Sequence, residues 1–138
     1  AFKEALGNLC LGLTYRLARD GEGVHKVVTF RVQGCASTAD AALLAKTIAI
    51  SPLVKTAIHG EDPNWGRIIN AAGYSPVSID PSLVDLWIGE MQVMKAGQRS
   101  DYEEEQAHQI MKRPEYEIVV DFHQGDEKDF YITTDFSK

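Results

Sequence analysis

Tyr116, Ile118, Val120 and Phe122 stand at every second position, with Glu117, Val119 and Asp121 between them. Successive side chains of a strand point to opposite faces, so this spacing predicts a strand with one apolar face. It is the strongest such signal in the chain, and it restricts the fold, because a sheet with one apolar face must bury that face against another layer. Val28, Phe30 and Val32 alternate in the same way with Thr29, Arg31 and Gln33. Val84, Leu86 and Ile88 follow suit, as do Met91 and Val93, and Gly89-Glu90 between them reads as a hairpin turn. Gly125 is expected to turn the chain into "DFYITTDF".

Helical segments fall between these strands. Phe2, Ala5, Leu6, Leu9, Cys10, Leu13 and Leu17 recur at helical spacing and predict an amphipathic helix over residues 2–19, stopped by Asp20-Gly21-Glu22-Gly23. Ser37, with Asp40 three residues on, reads as a capping-box-like start to an alanine-rich helix that Ser51-Pro52 ends near Ile50. "LVKTAIHG", residues 53–60, reads as a short β-leaning run. Ile68 to Ala72 is helical and closed by Gly73, and Tyr102 to Lys112 is a charged helix. The expected class is therefore α+β, a layered sandwich in which each sheet packs one face on helices, as a single domain over residues 1–138. Neither GxGxxG nor GxxxxGK[ST] occurs, so nothing supports nucleotide cradling.

Bulk properties narrow the function classes. With 44% hydrophobic and 25% charged residues the chain has the balance of a globular domain. A net charge of −6 repels phosphate backbones and argues against broad nucleic-acid binding. No apolar run is long enough to cross a bilayer as a helix, and no signal peptide is visible. The two cysteines, Cys10 and Cys35, are expected to be free thiols. The four histidines are too scattered for a zinc site.

Two stretches carry candidate chemistry. In "DGEGVHK", glycines flank Glu22 and leave its carboxylate free to hold a substrate ammonium; the plain alternative is an acidic helix stop in solvent. Lys26 is placed to pair with Glu22 in either case. In "EDPNWGR", residues 61–67, Pro63 suits the first turn of a helix, Asp62 the N-cap and Asn64 a cap or turn. Arg67 is expected to bond acids or carbonyls near its own helix entrance, Asp62 and Glu61 among them. The functional alternative, an anion site at the helix start for a substrate carboxylate, weighs about equally. His59 lacks a nearby nucleophile turn and reads as a packing or polar histidine, and Trp65 and Trp87 read as core. Glu103 to Gln106 reads as a solvated helix face.

From "SPLVKTAIHGEDPNWGRIINAAGYSP", residues 51–76, the chain closely resembles the ornithine acetyltransferase (glutamate N-acetyltransferase) or ArgJ family of arginine biosynthesis. "DGEG" with its following lysine and strand, "DPSLVD" at Asp80 to Asp85, and "TTDFS" near the end are similar too. The resemblance implies a DmpA/ArgJ-like αββα sandwich. It implies a cytoplasmic heterotetramer whose precursor cuts itself before a threonine that becomes the nucleophile of the β chain. Acetyl would pass from N-acetylornithine to that threonine and on to glutamate. Oxyanion donors would come from the α chain.

On this reading residues 1–138 are the β-chain core, without the β start or the extreme C-terminus, and they hold no catalytic residue. The resemblance carries one substrate ligand onto Glu22 and leaves Asp62, Asn64 and Arg67 as supporting residues near the cleft. His25 stands for a usual threonine and His59 for a usual phenylalanine. No metal or other cofactor is implied, although acetyl-CoA is an acetyl donor for some members. The implied partners are the α chain, the rest of the β chain, and N-acetylornithine, ornithine and glutamate, with neither nucleic acid nor membrane. Two rival readings are a non-catalytic binding or assembly domain and an N-terminal-nucleophile aminopeptidase. "GEDPNWGR" argues against the second.

Overall fold

The computed structural model describes residues 26–134. The expected helix over residues 2–19, the DGEG stop, Cys10, His25 and "DFS" near the C-terminus lie outside them.

Six strands form one sheet among the described residues: β1 (Val27–Cys35), β2 (Asp85–Ile88), β3 (Met91–Lys95), β4 (Gln98–Arg99), β5 (Glu115–Asp121) and β6 (Glu127–Thr134). Their spatial order is β4-β3-β2-β5-β1-β6. β1 and β5 run parallel, and every other neighbouring pair is antiparallel. The alternation in β5 is realised residue by residue, with Tyr116, Ile118 and Val120 buried and Glu117, Val119 and Asp121 partly exposed. Register explains why. Phe30, Ile118 and Ile88 lie abreast on three adjacent strands, and so do Val32, Val120 and Leu86. β1 departs from simple alternation: Thr29 is fully buried alongside Val28 and Phe30.

Four helices cover the apolar face: α1 (Thr38–Ala49), α2 (Pro52–His59), α3 (Trp65–Gly73) and α4 (Glu104–Met111). Leu44 and Ile48, Val54 and Ile58, Ile68 and Ala72, and Ile110 and Met111 join the sheet residues in one core cluster. Ser37 caps α1 as its sequence signals, its Oγ accepting the Asp40 amide at 3.1 Å. Gly89 takes φ +60° in the β2–β3 hairpin, the conformation a two-residue loop with a leading glycine requires.

One expectation fails here. The run is helical, not β-leaning: it lies in Pro52–His59, with Gly60 as the C-cap. Ser51-Pro52 ends α1 but also begins α2, with Ser51 at the N-cap and Pro52 in the first turn, where its missing amide costs nothing. Val54, Ala57 and Ile58 then bury one face at i, i+3 and i+4. Trp65 and Trp87 are both half-buried; Trp65 packs against the edge of the core.

Candidate active site

The joint between α2 and α3 is built on an unusual residue. Glu61 has φ +57°, in the left-handed region. Its amide donates to the Ile58 carbonyl at 3.1 Å, and the Asp62 amide donates to the Ala57 carbonyl at 2.8 Å. Those two bonds are the Schellman closure of α2, with Glu61 in the position where glycine is usual. Gly60 stands one place too early to serve, at φ −81°. A left-handed non-glycine costs roughly 1–2 kcal/mol, so other contacts must hold the residue there.

Two neighbouring side chains supply those contacts. The Lys26 ammonium, at the mouth of β1, lies 2.9 Å from Glu61 Oε2, and its side chain is only 8% exposed. His108 of α4 places Nδ1 2.7 Å from the Glu61 carbonyl oxygen and Nε2 3.9 Å from Oε1. The hydrogen bond from Lys26 holds the Glu61 carboxyl below the usual carboxylate range, against a smaller opposing effect of burial. Glu61 thus ties together the start of β1, through its carboxylate, and α4, through its carbonyl, at the α2–α3 joint.

The sequence-expected supporting residues surround this joint in altered roles. Asp62 is not the cap of α3: its amide closes α2, and the N-cap is Asn64, which makes no side-chain cap bond. Pro63 therefore precedes the cap and does not open the helix. Gly66 sits against Asn64, whose Oδ1 would be 3.2 Å from a Cβ at that position. Arg67 donates through Nη1 to the Leu53 carbonyl of α2 at 3.2 Å, rather than to Glu61 or Asp62. Lys26 pairs with Glu61, while Glu22, its expected partner, lies outside the described residues. Asp62, Asn64, Trp65 and Gly66 share an open groove of about 370 Å³ with Arg99 and Tyr102. There the Arg99 guanidinium stacks 4.1 Å over the Tyr102 ring. His59 ends α2 and is exposed.

A second knot lies at the other end of the β1–β5 pair. His123 Nε2 is 2.8 Å from Asp85 Oδ2, and its Nδ1 is 3.6 Å from Asp121 Oδ1. A carboxylate near each ring nitrogen favours the protonated form of this imidazole. The hydrogen bond to Asp85 raises its pKa above the ordinary histidine value. Burial works to raise the Asp85 carboxyl, but the Ala96 amide and His123 outweigh it and leave it below its usual range. Cys35, the free thiol among the described residues, is buried, which together with Asp40 and Asp121 pushes it up to about 11. A thiol so placed stays protonated and inert at neutral pH. Among the described residues no group of three or more His, Cys, Asp or Glu is placed to hold a metal ion. No single helix there is long and apolar enough to cross a membrane.

Comparison with known proteins places this arrangement. The model of the ArgJ family matches residues 1–138. The arginine biosynthesis bifunctional protein ArgJ of Symbiobacterium thermophilum is 41% identical over 126 residues, 91% of this chain and 31% of that protein. Its counterpart in Chlorobium chlorochromatii is 42% identical over 137 residues, 99% of this chain and 32% of that protein. The crystal structure of ArgJ from Bacillus halodurans superposes with a TM-score of 0.90 at 38% identity, covering 98% of this chain and 64% of that one. The chain thus spans about a third of the length of the curated relatives it matches. The fold agrees with that of the solved relative, and the chain belongs to the ArgJ family.

Proposed function

We propose that residues 1–138 form the β-chain core of an acetyltransferase that moves acetyl from N-acetylornithine to glutamate in arginine biosynthesis. The observation that carries this reading is the family match along the whole chain, joined to relatives named as arginine biosynthesis bifunctional proteins at 41–42% identity. The nucleophile is a threonine outside these residues. Its hydroxyl attacks the acetamide carbonyl, its own amine takes the proton, and ornithine leaves as the acetyl-threonine ester forms. The amine of glutamate then attacks the ester, and the threonine hydroxyl is restored. Donors from the α chain hold the oxyanion in both steps.

Within this chain Glu22 supplies a carboxylate for a substrate ammonium, and Asp62, Asn64 and Arg67 support the cleft wall. The partners are the α chain and the rest of the β chain, in a cytoplasmic heterotetramer. Acetyl-CoA is at most an alternative donor, and no resident cofactor takes part.

The test is an assay of acetyl transfer with residues 1–138 alone and with the full-length protein. The fragment should be inactive and the full-length protein active; turnover by the fragment well above background would mean that the nucleophile is misplaced. Glu22→Gln in the full-length protein should weaken both substrates by about 1.5–3 kcal/mol, the range for hydrogen bonds to charged groups, and leave self-cleavage intact.

A further inference from the structure

We infer that the groove between the α2–α3 joint and β4 binds a free basic amino acid, a molecule with a carboxylate, an α-ammonium and a cationic side chain. The charges of its walls lead to that class whatever reaction the full-length protein performs.

The groove encloses about 370 Å³, within the range of small-molecule sites. The α2–α3 joint supplies Asp62, Asn64 and Trp65 to one wall; β4 and the approach to α4 supply Arg99, Tyr102 and Glu104 to the other. Trp65 and Tyr102 are half-buried and pack against the core, so both aromatic surfaces are set before any ligand arrives. Arg99 is held too. Its guanidinium stacks 4.1 Å over the Tyr102 ring, and Nη2 donates to the Tyr102 carbonyl at 3.3 Å. The donors of the fork that remain suit a planar carboxylate.

The other polar groups are uncommitted. Asn64 stands at the N-cap of α3 without bonding an amide there. Among the described residues the side chains of Asp62 and Glu104 make no hydrogen bond or ion pair, although a guanidinium lines the same groove. Two carboxylates against one guanidinium leave the groove with excess negative charge. Its complement has one carboxylate and two cations, which describes a basic amino acid. A phosphate or a dicarboxylate would meet one cation and two like charges, and is disfavoured. The aliphatic stem of a basic side chain can lie against Trp65, and its cation gains from the indole face. On this reading Arg99 takes the carboxylate, Glu104 on the same wall the α-ammonium, and Asp62 on the opposite wall the side-chain cation.

The test is isothermal titration calorimetry on the full-length protein without acetyl substrates. L-Arginine and L-lysine should bind saturably, with Kd below about 1 mM. Two analogues separate the contacts: agmatine lacks the carboxylate, and L-norleucine lacks the side-chain cation. Arg99→Gln should weaken L-arginine about tenfold and leave agmatine within about twofold. Asp62→Asn should weaken L-arginine about tenfold and leave L-norleucine within about twofold. A general loss of structure would weaken every ligand alike, so selective losses report the contacts themselves. Absence of saturable L-arginine binding would return the groove to a solvated surface. L-Arginine binding that survives both substitutions, or losses shared by all ligands, would overturn the inference as well. A protein that transfers no acetyl but shows the selective losses would refute the acetyltransferase reading and keep this one. Should Arg99→Gln fail to fold, Arg99→Lys, which keeps the charge without the fork, should show a smaller loss with L-arginine and again none with agmatine.

Discussion

The two ends of the parallel β1–β5 pair are tied by the same device in different surroundings. At the head, Glu61 sits at φ +57° and binds Lys26; at the tail, His123 sits at φ +54° and binds Asp85 and Asp121. Both use a left-handed side chain as a clasp between segments distant in sequence. They differ in water. Lys26 at the head is 8% exposed, whereas His123 at the tail is 46% exposed. A desolvated pair is strongly coupled to the fold, since breaking it strands a charge; a wet pair is screened and worth little. Geometry alone therefore does not rank the clasps, and burial of the cation does.

The tail has one component that outweighs this ranking, and it is steric. Gly34 holds φ +72° under the Asp121 carboxylate, and a Cβ there would meet Asp121 Oδ1 at 2.2 Å and the His123 amide nitrogen at 2.5 Å. Gly34→Ala should cost about 4 kcal/mol, combining forbidden backbone with a clash against main chain. Equilibrium denaturation would measure it, and a loss under 1 kcal/mol would show that the tail yields easily.

Glu61→Gln tests the head directly. It should cost about 3 kcal/mol, the lower end for a broken buried pair, because the Glu61 side chain keeps 28% exposure. A loss no larger than that of His123→Ala would erase the contrast between the ends. Arg67→Ala, close to the head but outside its ion pair, should cost about 1 kcal/mol for one bond to the Leu53 carbonyl and leave KM unchanged. Lost substrate binding at an unchanged unfolding midpoint would move Arg67 into the substrate site.

The smallest effect is with pH. His123 has a raised pKa, so its contribution is full below the unfolded value of about 6.5 and fades as pH rises through the folded value. Asp85 has a lowered pKa, so its contribution is full above about 3.9 and fades as pH falls through its folded value. The wild type minus His123→Ala difference should peak between those limits and shrink on either side. A difference flat from pH 4 to 9 would mean that the tail pair does nothing for stability.

What the chain discloses about itself follows sequence distance. Local patterns were legible: the alternation of β5, the Ser37 cap and the Gly89 turn each depend on neighbours a few places away. α2 was misread because Ser51-Pro52 has two meanings, a helix end and a helix start, and the chain uses both. Asp62 looked like a cap because Pro63 follows it, but its amide was already committed to closing α2. The clasps were not legible, because Glu61 and His108 are 47 positions apart and Asp85 and His123 are 38. The one sequence cue to the head was a glycine followed by two acids, Gly60-Glu61-Asp62, where a helix had to stop.

The parallel pairing of β1 with β5 also governs when the sheet can form. Arg31 and Glu117, whose side chains bond diagonally across that pair, are 86 positions apart, whereas β2 and β3 are joined by two residues. Closing a flexible loop of that size costs roughly 4 kcal/mol of chain entropy before any contact repays it. The β2–β3 hairpin can close in microseconds, but β1 has no central neighbour until the chain has been synthesised past Asp121. During synthesis β1, among the most apolar strands, waits with an open edge, and its assembly sets the pace for the whole sheet.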